Sequence, residues 1–504
     1  MSKRKSSHPP QPIWKHSKSD ETIVAFCAGR DVEYVPPCDE DLVFEDIATN
    51  EASLLALVES KSLKKSEAAQ IAKGLLVLRA EIEEGGFFLD PRLEDVHINI
   101  ESALAETVGS LAGKIHAGRS RNDQVACDLR LYHRSCIFAH AESLLITIEA
   151  FLDLADREKE TLAPGFSHHQ RAFVTTWGHQ LASYASAWLR DVERGFGVLE
   201  RINRCPLGAA AGFGTSWPLD RGRIAKLLGF DGIVENSLDA VSSRLEVEQD
   251  IVAWLALWMN HASTVAQDLI LYSMEEFRWI RLAPETTTGS SIMPQKRNPD
   301  FAEVIKGKTA LVHGALASLL SLGKGQPSGY HRDSQYSKPI GQDVWREIWE
   351  VPDILQTVLE KLKVDRKIML EATQGGFLEA AEWADAIAQA SGLPFRDLYS
   401  AIGTAVNRCR KKGRLDRATV NKTLREQKID FQVSATLAKA LSSPKDLVAR
   451  RKTLGSPNPA LLVKEIERKK ADLDKMVKEL NRIGNRVEKA ERERSRLIAS
   501  LAGA

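Results

Sequence analysis

Disulfide and metal-ligand patterns are missing from this 504-residue chain: its six cysteines (27, 38, 127, 136, 205 and 409) form no CxxC pair and follow no metal spacing. Scattered thiols of this kind fit a reducing cytoplasm better than a secreted disulfide framework. A dominant charge is missing too. The net charge of +1 gives no global field for nucleic acid or an acidic surface, and Lys3-Arg4-Lys5 is too short a basic run to argue for either. Residues 1–18 lack the apolar stretch of a secretory signal and read as a flexible basic arm. The longest uncharged run, 251–267, contains Asn260, His261, Ser263 and Thr264, so it predicts a buried helix and no membrane span. Strand-like alternation is scarce. The Gly-rich connection 206–218 matches no phosphate-cradle pattern, and Gly307-Lys308-Thr309 has Ala302 where that pattern needs glycine, which excludes nucleotide binding on both counts.

What is present is helical periodicity. Two stretches occupy 52–84 with a break near 61–66, and Gly85-Gly86 stops the second. Apolar residues recur at helical spacing through 125–154 and again through 244–274. Helices of roughly thirty residues would be about 45 Å long, too long for a small domain and suited to a bundle that extends through an oligomer. The expected fold class is all-α. Toward the end, Leu473, Met476, Leu480, Ile483, Val487, Ala490, Arg494, Leu497 and Leu501 form a heptad seam, interrupted by Arg494 and softened by Gly484. A single helix on the protein's own surface and a self-associating coiled coil both satisfy that seam.

Four segments carry chemistry. The first, Thr286-Thr-Thr-Gly289-Ser290-Ser291-Ile-Met293-Pro294-Gln295-Lys296-Arg-Asn298-Pro299, sets two hydroxyls beside a glycine, then a cation and a carboxamide. Gly289 lets the loop bend, and the prolines forbid a continuous helix, so backbone N–H groups remain to face a ligand. Lys296 and Asn298 suit a carboxylate or a developing enolate. In the second segment, His116 to Val125, Ser120 and Asn122 offer hydrogen bonds and Arg121 can clasp a carboxylate at a helix start. The same Ser120, Asn122 and Asp123 would also serve as ordinary helix caps. The third, Pro164 to Ala172, contains Ser167-His168-His169; with no HExxH and no carboxylate at ligand spacing, acid–base work is expected of His168 rather than metal binding. The fourth, Pro327 to Lys338, contains Tyr330, Gln335 and Lys338.

Taken in order, these segments resemble the fumarase/aspartase superfamily, and Gln295 with the 118–125 run resembles its argininosuccinate lyase branch. The resemblance covers roughly 24–465. It implies a three-domain all-α fold with a long central bundle, and cleavage of argininosuccinate to arginine and fumarate by reversible β-elimination. It further implies Ser290 as base, Lys296 as anion stabiliser, and His168 as acid or relay. Ser120, Arg121, Asn122, Ser167, Asn298, Tyr330, Gln335 and Lys338 would hold substrate. The family works as a homotetramer whose segments meet from different subunits, and the scheme requires no metal and no organic cofactor. Departures from the family's pattern are Ser167 for threonine, Val174 for proline, Ser337 for an acid, and the amino-terminal loop Phe26 to Asp31 with Ala52-Ser53 further on. The loop touches the amine half of the substrate in the family, so that half is left open. Alternatives are a lyase for another N-succinyl amine, of the adenylosuccinate or aminopolycarboxylate type, and a non-catalytic structural relative. The expected divisions are a basic arm at 1–22, a helical domain at 23–118, the long-helix bundle at 119–368, a small helical domain at 369–460 and the charged tail at 461–504. No membrane or nucleic-acid partner is expected.

Overall fold

The computed structural model describes residues 38–93 and 95–503; the basic arm, the Phe26 to Asp31 loop and Glu94 lie outside the described residues. Helices dominate. The amino-terminal part contains α1 (Val43–Glu59), α2 (Lys65–Glu83) and α3 (Val96–Val108), the last begun by Asp95, whose carboxylate accepts from the Ile98 N–H. Then comes α4 (Arg121–Arg157), with Ser120 and Asp123 forming a capping box at its start. A hairpin of β1 (Leu162–Ser167) and β2 (Gln170–Thr176) leads into α5 (Trp177–Ile202). The bundle is completed by α6 (Arg244–Ser273), α7 (Asp300–Leu322), α8 (Ser337–Ile348) and α9 (Val351–Lys361). Shorter helices α10 (Ala380–Ser391), α11 (Phe395–Cys409) and α12 (Arg417–Glu426) follow, and α13 (Pro459–Ala502) closes the chain. Besides the hairpin, the described strands are two-residue pairs, so the all-α expectation holds.

Packing divides the apolar side chains into three clusters. The largest lies among α4, α5, α6, α7, α8 and α9, with α4 running along α5 and α9, and α6 along α5 and α7. Close approach is built in. A Cβ on Gly195 of α5 would stand 2.6 Å from the Trp254 ring of α6. Trp188, Trp258 and Trp345 are fully buried here, and the His140 ring meets Trp258, Trp345 and Trp254 edge-on at 4.5, 5.5 and 5.9 Å. The second cluster joins α1, α2 and α3 to the start of α4, and the third joins α10, α11 and α12 to Val174 of β2. The run at 251–267 is the buried middle of α6, as its composition implies.

The carboxy-terminal seam finds its partners within the chain. α13 continues through Gly484 without a break and packs on α2, α4 and α5. Leu473 and Ile483 join the central cluster, while Ile498 and Ala502 join the amino-terminal one. Within the chain the seam belongs to a single helix laid on its own protein, with apolar surface on three neighbouring helices against it. Arg494 is not an interruption. It is 6% exposed, donating to Glu51 at 2.9 Å and to the Leu227 carbonyl at 3.0 Å, while Arg79 clasps the same carboxylate from the other side.

Two consequences are measurable. Arg494→Ala leaves the buried Glu51 with one cation and the Leu227 carbonyl unpaired, so urea denaturation at fixed protein concentration should show a loss of roughly 3 kcal/mol. Burial holds the His140 imidazole down to about 3, and neither ring nitrogen has a hydrogen-bond partner among the described residues. The unfolded imidazole titrates near 6.5, so the unfolded chain binds the extra proton between these values. Stability from this group is complete above about pH 6.5 and falls with pH, by about 2 kcal/mol at about pH 5. Denaturation of His140→Leu across that range should lack this component of the wild-type slope.

Candidate active site

At the start of α4 the chain must turn sharply, and Gly118 allows it with φ of +76°; a Cβ there would stand 2.8 Å from Leu219. Asp123, expected as a cap, does more. One oxygen accepts from the Ser120 N–H at 2.9 Å, and the other accepts from Gly208 at 3.0 Å and Ala210 at 2.8 Å. The Gly-rich connection thus donates its amides to a carboxylate of the same chain, a physical reason for its glycines other than phosphate binding. Burial pushes the Asp123 carboxyl up to about 6, against the pull of these N–H donors.

Beside this turn lies a cavity of about 750 Å³, lined among others by Asp39, Asp90, Asp95, Asn99, Arg332, Gln335 and Lys338. Arg121 reaches its edge, 3.4 Å from Asp95. Lys338, the first charged residue of α8, pairs with Asp39, and the Gln342 amide donates to the Cys38 carbonyl at 2.8 Å. The Tyr330 hydroxyl stands 3.5 Å from Gln335 Oε1, and the Arg244 guanidinium lies over the Tyr330 ring at 4.7 Å. Of the expected residues, Gln335 and Lys338 line this cavity, Arg121 touches it through Asp95 and Tyr330 through Gln335, and its lining combines the cations Arg332 and Lys338 with the carboxylates Asp39, Asp90 and Asp95.

Ser120, Asn122, Ser167, His168, Ser290, Lys296 and Asn298 do not line that cavity. Ser167 ends β1, and His168-His169 are the two-residue turn of the hairpin, with φ of +52° and +57°. The pair thus forms a primed turn, which needs left-handed backbone at both positions. Val174 is buried in the third cluster, and its carbonyl accepts from Arg451 at 2.8 Å, so the hairpin is tied to the small carboxy-terminal unit. The loop after Thr288 is closed by two backbone bonds, Thr288 N–H to Asn298 O at 3.2 Å and Asn298 N–H to Thr288 O at 2.9 Å. Inside it, Ser290 Oγ accepts from the amides of Ile292 at 3.3 Å and Met293 at 3.1 Å. Asn298 donates its carboxamide to the Gly289 carbonyl at 3.2 Å, and Lys296 is exposed. Two N–H donors on one hydroxyl oxygen stabilise its anion, the property a serine base needs.

Sequence reasoning missed a buried polar cluster behind the cavity. His97 Nδ1 lies 2.7 Å from Asp46 and 3.6 Å from Asp128, Thr49 donates to Asp128 at 2.6 Å, and Arg119 donates to Asn50 at 2.8 Å. Burial disfavours charge on Asp46, but His97 beside it prevails and holds that carboxyl below the usual range. Burial and the neighbouring Asp46 push Asp128 well above it. These three residues are the one group among the described residues with metal-ligand proximity. A shared ion would hold its ligand atoms about 3 Å apart or more, whereas Asp46 and His97 are already at hydrogen-bonding distance. A signal did exist: Asp46, Thr49, Asn50 and Ser53 recur by three and four on α1 where a core helix should be apolar.

A lyase family model matches residues 39–314. The chain is 40% identical over 375 residues to the argininosuccinate lyase of Desulfitobacterium hafniense (strain Y51), covering 74% of this chain and 81% of that protein. It is 40% identical over 427 residues to that of Alkalilimnicola ehrlichii, covering 84% and 89%. In fold it is similar to EDDS lyase in complex with formate, with a TM-score of 0.86, 24% identity and 97% of each chain covered. It is also similar to a fumarate lyase from Mesorhizobium sp. BNC1, with a TM-score of 0.69, 15% identity, and 90% and 100% covered.

Asp123→Asn would turn an amide N–H₂ toward backbone donors, leaving at least one of the amides of Ser120, Gly208 and Ala210 unpaired. The expected loss is about 2 kcal/mol by urea denaturation, with faster proteolysis within 206–218 than elsewhere.

Proposed function

The chain belongs to the argininosuccinate lyase family of the fumarase/aspartase superfamily, and on that premise we propose that it cleaves L-argininosuccinate to L-arginine and fumarate. The observation that carries this reading is the 40% identity to argininosuccinate lyases over 74% and 84% of the chain.

Ser290 removes the proton from the carbon next to the succinyl carboxylate, its anion held by the amides of Ile292 and Met293. The electron pair left on that carbon spreads into the carboxylate as an enediolate-like dianion, for which Lys296 and Asn298 supply charge and N–H donors. The carbon–nitrogen bond then breaks and fumarate forms. His168 protonates the departing guanidinium nitrogen or relays a proton to it. Ser120, Arg121, Asn122, Ser167, Tyr330, Gln335 and Lys338 hold the substrate, and neither a metal nor an organic cofactor enters the scheme.

The hairpin residues Ser167 and His168 and the loop residues Ser290, Lys296 and Asn298 are absent from the cavity lining, which supports assembly of the site from different subunits of a homotetramer. Candidate surfaces for that assembly lie on α7, where Leu311 and Leu320 are 58% and 57% exposed and Gly307 and Gly314 have no neighbour within 4 Å of a built Cβ. Exposed Leu257 and Ile146 add apolar surface on α6 and α4. Domain limits near 118, 368 and 460 are part of this reading; the third cluster, Leu378 to Val448 with Val174, supports the unit between the last two, while the amino-terminal cluster also takes in Cys127 to Leu131 and Ile224 to Phe230. Free thiols, four of the five described being buried, support a reducing cytoplasmic setting.

Fumarate absorbance should rise with argininosuccinate and the wild-type protein, and Ser290→Ala should lower kcat by about a thousandfold or more. Fumarate from adenylosuccinate or another N-succinyl amine, with none from argininosuccinate, would overturn the substrate; equal rates in the variant would overturn the base.

A further inference from the structure

Behind Lys338 the bundle contains a polar layer that the scheme above does not use. His133 of α4 and Glu248 of α6 are both fully buried. The Trp345 indole, a donor only, gives its N–H to His133 Nδ1 at 3.1 Å. That bond makes Nδ1 an acceptor and leaves the imidazole proton on Nε2, which faces Glu248 Oε1 at 3.4 Å. Neither Glu248 oxygen has a hydrogen-bond partner among the described residues. The guanidinium groups of Arg130 and Arg244 interact with its charge at longer range. A carboxyl group so placed adds little to stability, because burial penalises it and few hydrogen bonds offset the penalty.

Its shape has a consequence. Gly341 of α8 lies against this pair: a Cβ there would meet Glu248 Cγ at 3.0 Å and His133 Cε1 at 3.4 Å. Gly341 is one turn beyond Lys338, and Gln342 beside it anchors α8 to the Cys38 carbonyl. The same layer supports Arg244, which stacks on Tyr330. The depth at which α8 seats on His133 and Glu248 therefore sets where Lys338 stands in the cavity, and the position of Arg244 sets that of Tyr330 beside Gln335.

We propose that His133 and Glu248 are positioning residues for substrate binding, acting through the bare backbone of Gly341 to set the seat of α8. The inference rests on the lyase reading only for what the cavity binds. Three variants test it, Gly341→Ala, Glu248→Ala and the two combined, with Glu248→Gln as the conservative change that keeps Cγ. Each single change to alanine should raise KM for argininosuccinate and the dissociation constant of fumarate by about tenfold, with kcat within about twofold, the pattern of lost uniform binding. In the double variant the new methyl occupies the space that Cγ left, so both constants should return to within about threefold of wild type. Glu248→Gln should bind as wild type does.

A merely structural role predicts lower melting temperatures with unchanged KM and fumarate affinity, and that result overturns the proposal. So does a double variant as weak as the worse single one. Amide exchange of 337–348 gives a readout that needs no ligand: faster in both single variants and restored in the pair, or else the proposal fails. A wild-type protein that binds fumarate but does not cleave argininosuccinate would sink the substrate reading and leave this test intact.

Discussion

Burial of the indoles between α4, α5, α6 and α8 is the interaction on which the rest of the structure depends. Trp188, Trp258 and Trp345 are fully enclosed, and Trp254 packs onto the bare backbone of Gly195. Each such ring removes apolar area worth on the order of 4–5 kcal/mol from water, before the entropy of ordering it is subtracted. Rings this large interlock in few ways, so the helices that carry them have little freedom to slide. That rigidity lets side chains at the helix ends, and in the loops beyond them, stand at fixed positions without a local core of their own.

Function sits at those ends. The start of α8 and the segment before it line one cavity, and the start of α4 meets its edge through Arg121 and Asp95. The hairpin turn at His168-His169 and the closed loop after Thr288 are held differently, one by Val174 and Arg451 against the small carboxy-terminal unit, the other by its own pair of backbone bonds. Both are exposed, and both contain backbone or side-chain arrangements that local packing does not require. Two histidines in left-handed conformation are strained, and a serine oxygen that collects two amides is prepared for negative charge.

Much of this was legible in the residues. Helical periodicity located α4 and α6 within a few positions, since a buried face must repeat every 3.6 residues whatever it packs against. The loop at 286–299 announced itself through residue types with few ordinary uses together. Other features were not legible. Asp123 read as a cap, yet its second oxygen clasps a loop more than eighty residues away, and no local pattern encodes such a partner. Arg494 read as a break in an apolar seam, whereas Glu51, far off in the chain, makes it the centre of one. Gly341 carried no signal at all, because a glycine's reason lies in what approaches it.

The sequence by itself determined the helical class, the extents of α4 and α6 and the family, and it nominated the groups for the chemistry. These follow from local periodicity and from short ordered runs, where each residue's neighbours in the chain are its neighbours in space. Tertiary structure alone decided that the carboxy-terminal seam is covered by its own protein, and that His168 lies in a hairpin turn. It also decided that only part of the candidate site gathers around one cavity of a single chain. Those outcomes depend on pairings between distant segments, set by which surfaces find enough complementary area to outweigh the entropy of bringing them together.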